Sequence, residues 1–130
     1  EALYLSELEK LAAAERELSE NQPPVEALRQ WMLLFVDLME TKQALREALN
    51  AMVGGTTELY ANSGEMIKRS IENLTARAVV SGDIRLDMEP LDLLRAVAGV
   101  ATASAGPNWA ENARRLVDVL LLGMRTPHTQ

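Results

Sequence analysis

The chain contains no cysteine, which excludes both a disulfide framework and a thiolate metal site. Its one histidine, His128, sits in the tail, so no Ser-His or Cys-His pair, histidine metal cluster or Glu-x-x-His motif of a di-iron bundle can be assembled. The phosphate cradles G-x-x-x-x-G-K-[ST] and G-x-G-x-x-G are missing as well. The longest uninterrupted apolar run, Trp31 to Val36, falls far short of the roughly 18 residues of a membrane span, and no secretory leader pattern is visible. Basic residues are outnumbered, 13 against 19 acids, and a net charge of −6 is the wrong sign for gripping a phosphate backbone. The adjacent basic pairs, Lys68-Arg69 and Arg114-Arg115, sit among acids in helical repeats and read as solvated faces. Neither an enzyme, a cofactor nor a metal is expected. The lack of cysteine agrees with a reducing cytoplasm, the expected location.

What is present is a globular composition, 48% hydrophobic and 25% charged, over 130 residues, enough for one domain spanning 1–130. The pattern is helical throughout. Leu5, Leu8, Leu11, Ala12 and Leu18 recur at three- and four-residue spacing and predict a first helix ending near Ser19. Pro23-Pro24 breaks it and pre-sets the first turn of a second helix, whose Val25, Leu28, Trp31, Met32, Leu34, Phe35, Leu38 and Met39 make it apolar on most sides and therefore central. A third helix carries Ala44, Leu45, Ala48, Leu49 and Met52 and stops at Gly54-Gly55. Thr56 or Thr57 can cap a fourth, with the stripe Tyr60, Ile67, Ile71, Leu74 and Ala78, ended by a left-handed Gly82. Pro90 suits the first position of a fifth helix running to about Ala103, with Met88 and Leu93 as a hydrophobic staple. Asn108 and Glu111 form a capping box for the sixth, with Pro107 as first helical residue an equal alternative. The tail from Thr126 is expected to fray. These elements make an all-α domain of about six helices.

The sixth helix, Trp109 to Arg125, is too apolar for one core. Trp109, Ala113, Leu116, Leu120 and Met124 fall on one line, Val117 and Leu121 beside it, and Val119 and Leu122 on another side. Either a larger core of the same chain covers it, or a second copy does. The second is favoured, giving a homodimer whose last two helices pair with their equivalents as a four-helix bundle. The expected interface is Leu94, Val97, Ala101, Trp109, Ala113, Leu116, Val117, Leu120, Leu121 and Met124. A second candidate site lies among bulky, adaptable side chains: Trp31, Leu34, Phe35, Leu38, Met39, Met52, Tyr60, Met66, Ile67 and Ile71. Methionine suits the wall of a variable apolar pocket and tryptophan adds a polar tip, yet the same residues can simply fill a core.

Three stretches carry a family resemblance. The connector Gly82-Asp83-Ile84-Arg85-Leu86-Asp87-Met88-Glu89-Pro90-Leu91-Asp92-Leu93-Leu94 closely resembles the junction before the penultimate helix of TetR-type bacterial transcriptional regulators. There a Gly-acid-Ile-Arg-x-Asp segment precedes a Pro-x-Asp-Leu helix start. Pro24-Val25-Glu26-Ala27-Leu28-Arg29-Gln30-Trp31 resembles the start of the family's long central helix, and Ala113 to Arg125 its final dimerisation helix. The resemblance implies a dimeric domain in which a small molecule, here an apolar effector, binds among the central helices and alters the spacing of two DNA-binding heads. It implies a repressor more than an activator. The family's N-terminal helix-turn-helix domain has no counterpart here, so DNA contact is expected only through a missing upstream segment. A helical interaction module that dimerises without a small ligand is the rival reading.

Overall fold

A computed structural model describes residues 2–41, 43–54, 61–103 and 106–127. Six helices follow in order: α1 (Ala2–Asn21), α2 (Pro24–Thr41), α3 (Gln43–Gly54), α4 (Ala61–Val80), α5 (Pro90–Ala103) and α6 (Trp109–Met124). Among the described residues the extended structure is a single antiparallel bridge, Ile84 to Arg125.

Helix α2 is the axis of the molecule and touches each of the other five. Its buried residues Val25, Ala27, Leu28, Trp31, Met32, Phe35, Val36, Leu38 and Met39 occupy more than one face, which is why no single neighbour suffices to cover it. Pro24 opens the helix, where its missing N–H costs nothing. Around it, Leu8 and Leu11 of α1, Ala48, Leu49, Met52 and Val53 of α3, and Ile67, Ile71, Leu74 and Ala78 of α4 close one continuous core. Gly64 permits the approach of α4 to the end of α3: a Cβ there would lie 3.2 Å from the Met52 carbonyl oxygen.

Two helix C-termini lack basic residues of their own and receive arginines from other helices. Arg77 of α4 donates to the Ser19 carbonyl of α1 at 2.7 Å, and Arg95 of α5 donates to the Val53 carbonyl of α3, also at 2.7 Å. Each supplies a cation where the helix dipole favours one and pairs an otherwise orphaned carbonyl.

The connector between α4 and α5 turns at Gly82, whose φ of +86° requires a residue without Cβ. Ile84 is then buried, while Arg85 N–H donates to the Met124 carbonyl and Thr126 N–H to the Asp83 carbonyl at 2.8 and 3.0 Å. Thr126 is thus held against the connector, contrary to the expected fraying at that residue; its hydroxyl adds a 2.7 Å bond to the Gly82 carbonyl. The expected staple is also corrected. Leu93 is buried but Met88 is 53% exposed, and Leu86 packs on the core instead. Pro90 does open α5. Asn108 occupies the N-cap position of α6 but makes no side-chain cap, and α6 begins at Trp109, so neither the capping box nor Pro107 as first helical residue describes this end. The proposed caps Thr56 and Thr57 lie outside the described residues.

Candidate functional site

The spacing of apolar residues on α2, α3 and α4 brings seven of the ten pocket candidates into the interior. Trp31, Phe35, Leu38, Met39, Met52, Ile67 and Ile71 are all buried in one cluster. Trp31 and Phe35, one turn apart, stack with ring centroids 6.3 Å apart. The Trp31 indole N–H is committed to α1, donating to the Leu11 carbonyl at 2.9 Å. Met66 is half-buried at the margin, and Tyr60 lies outside the described residues. Leu34 is half-buried and faces elsewhere, into an open groove of about 360 Å³ with Gln30, Leu33, Asp37 and Arg114.

Among the described residues this interior holds no charge. Its buried polar side chains are Ser70 and Thr75. Thr75 donates to the Ile71 carbonyl of its own helix at 2.8 Å, and Ser70 donates to Glu15 at 3.3 Å. Such walls can accept apolar surface but offer no free donor for an ion or a polar group. No cluster of potential metal ligands occurs among the described residues.

The interface candidates divide into two sets. Leu94, Val97, Ala113, Val117 and Leu121 are buried within the chain's own core, and Trp109 is nearly so, its ring covered by the Arg46 guanidinium 5.1 Å from the centroid. Ala101, Leu116, Leu120 and Met124 remain half-buried on the outside of that core. Beside them Val119 and Leu122 stand 62% and 73% exposed, two residues outside the expected set. At 100° per residue Ala113, Val117 and Leu121 centre the inward face, and Leu116, Leu120, Gly123 and Val119 form the next strip around the helix. The adjoining surface of α5 is made of small residues, with Ala96, Gly99 and Ala103 exposed and Val100 half-buried.

The opposite flank of α6 is charged and faces α2. Arg29 Nε donates to Asp118 Oδ1 at 2.7 Å, and Arg29 also meets Glu26 of its own helix at 3.3 Å. Arg114 reaches back from α6 to Glu40 and, at 3.6 Å, to Asp37. The hydrogen bond that Arg29 donates to Asp118, reinforced by the carboxylate's charge, raises the guanidinium above its already high ordinary pKa. Sequence reading treated Arg114 as part of a solvated face, because nothing in a helical period reports partners such as Glu40 and Asp37, 74 and 77 positions away.

The arrangement matches known regulators in both sequence and shape. Residues 23–126 fit the family described as transcriptional regulator SbtR-like, C-terminal domain. The crystal structure of the TetR transcriptional regulator SCO0520 from Streptomyces coelicolor superposes with a TM-score of 0.76 at 33% identity, over 96% of this chain and 71% of that one. The chain belongs to the TetR family of transcriptional regulators, as a C-terminal domain of the SbtR-like kind. No curated protein sequence matches it. In this TetR-family domain the matched segment contains α2 to α6, and therefore both the buried cluster and the outer face of the last two helices. No helix among the described residues is long and apolar enough to cross a membrane.

Proposed function

We propose that this domain senses a small, largely apolar effector within the α2–α3–α4 core and forms a homodimer through the outer face of α5 and α6. In this reading it is part of a longer repressor whose DNA-binding segment lies upstream of Glu1. The observation that carries the effector class is the uncharged interior around Trp31, Phe35, Met39 and Met52, where the Trp31 indole N–H and the buried Ser70 and Thr75 hydroxyls already have partners. An ion entering it would lose its hydration without compensation, whereas apolar surface gains about 25 cal/mol per Å² buried. The methionine side chains can repack around an incoming molecule at modest cost. Membership of a regulator family supports coupling to DNA release. Driving release from 1:99 to 99:1 would require the effector to favour the DNA-free state by about 5.5 kcal/mol.

The test is tryptophan emission in a Trp109→Phe background, so that Trp31 alone reports, titrated with a library of neutral apolar compounds and, as controls, anions and cations of similar size. Neutral apolar ligands should shift or quench the emission and raise the melting temperature. No response to any compound would instead favour a helical interaction module, which the exposed Val119 and Leu122 also fit.

A further inference from the structure

Three ion pairs join different helices among the described residues, and all three connect α2 to α6. The remaining pairs lie within single helices at spacings of three or four. The three are reciprocal: α2 supplies Arg29 to a carboxylate of α6, and α6 supplies Arg114 to two carboxylates of α2. Gln30 helps hold the surroundings of Arg29 by donating to Glu26 at 2.9 Å.

We infer that this crossed set is a charge code that fixes the register of α6 along α2, so that the central helix and the helix bearing the outer apolar face move as one unit. Arg114 and Asp118 are one turn apart on α6. Sliding α6 by a turn, about 5.4 Å, in one direction carries Arg114 to the place of Asp118, against Arg29. Sliding it the other way carries Asp118 to the place of Arg114, against Asp37 and Glu40. Both neighbouring registers therefore replace attraction by like-charge contact, and discrimination comes from the repulsion in the wrong states as much as from the pairs in the right one. The apolar contact between the ends discriminates less, because Ala113 and Val117 are small and repeat every four residues. The ends are anchored separately, by Trp109 under Arg46 and by the bridge from the connector to Arg125.

The inference goes beyond the proposed sensing function and needs no effector; its bearing on the outer face rests on the homodimer reading, and distances inside one chain test it apart from association. Because the chain has no native cysteine, spin labels can be placed at will. Two reporter pairs, Ala13→Cys with Asn112→Cys and Asn73→Cys with Asn112→Cys, all at exposed positions, measure α6 against α1 and α4. Labelled chain is diluted into excess unlabelled chain and distances are read by pulsed electron resonance. Exchanging the α6 charges, Arg114→Asp with Asp118→Arg, should displace or broaden both distributions. Adding Arg29→Asp, Asp37→Arg and Glu40→Arg should restore them. Unchanged distances in the α6 exchange would show that the anchored ends suffice and overturn the inference, as would displacement that the α2 exchange does not reverse. Should the α6 exchange unfold the chain, recovery of folding in the combined variant supports the code and failure to recover refutes it.

Discussion

The double substitution Val119→Glu with Leu122→Glu separates association from folding more cleanly than any change in the buried row of α6. Both side chains are mostly exposed in the single chain, 62% and 73%, so their loss removes little from its core. Surface changes of this kind alter folding stability by about 0.5 kcal/mol or less. At a two-fold interface each substitution occurs twice. Burying a Val or Leu side chain is worth about 1.5–3 kcal/mol, and scaling by the exposed fraction leaves roughly 4–8 kcal/mol for the four side chains as an upper limit. At the lower figure the dissociation constant should rise by up to about a thousandfold, since each 1.4 kcal/mol is a factor of ten. Light scattering with sedimentation is the assay: wild type at twice the 14.3 kDa chain mass, the variant at the chain mass with unchanged far-ultraviolet dichroism. Its melting temperature should lose the dependence on protein concentration that a dimer imposes by mass action. A wild-type chain that stays monomeric at high concentration, or a variant that still pairs, would refute the reasoning.

Other substitutions probe the interior and the connector. Trp31→Phe keeps an aromatic ring but removes the indole donor to Leu11, and should cost about 1–3 kcal/mol in urea unfolding from the lost bond and the smaller ring together. Phe35→Ala, at a side chain with no exposure, should cost about 3–5 kcal/mol; a value below 1 would mean the cluster is not a packed core. Gly82→Ala should destabilise by about 1–2 kcal/mol through backbone strain alone, since nothing lies within 4 Å of the added Cβ; a Gly82→Asn variant should recover part of the loss. Arg77→Ala removes the cap on the Ser19 carbonyl, a charged but solvent-accessible bond, so its effect should stay near 1 kcal/mol by thermal melting.

Much of the architecture was legible because local rules and tertiary packing agree. Pro24 and Pro90 open helices, Gly82 takes the left-handed turn, and the stripe Ile67, Ile71, Leu74 and Ala78 faces inward as its period requires. The disagreements fall where a local signal had a tertiary competitor. Met88 is placed for a staple, yet Ile84 and Leu86 of the same connector already fill the space beside the core. Asn108 is a good cap by type, but its observed φ of −96° and ψ of 10° are not those of a capping residue. Thr126 belongs to a tail by sequence, yet its backbone finds the Asp83 carbonyl.

The candidate site shows the same division. Apolar periodicity, read from residue order alone, determined that α2 is central, that Trp31, Phe35, Met39, Met52 and Ile71 meet inside, and that α6 has more apolar surface than one stripe needs. Those properties follow from side-chain chemistry repeated at the helical period. The tertiary structure decided which side of α6 turns inward: Val117 and Leu121 are buried, while Leu116 and Leu120 lie at the margin and Val119 and Leu122 face out. It also decided that Arg29 meets Asp118 and that Arg46 covers Trp109. A period places residues on a face, but the partner of that face is set by chain closure across dozens of residues, and only the packed fold contains that information.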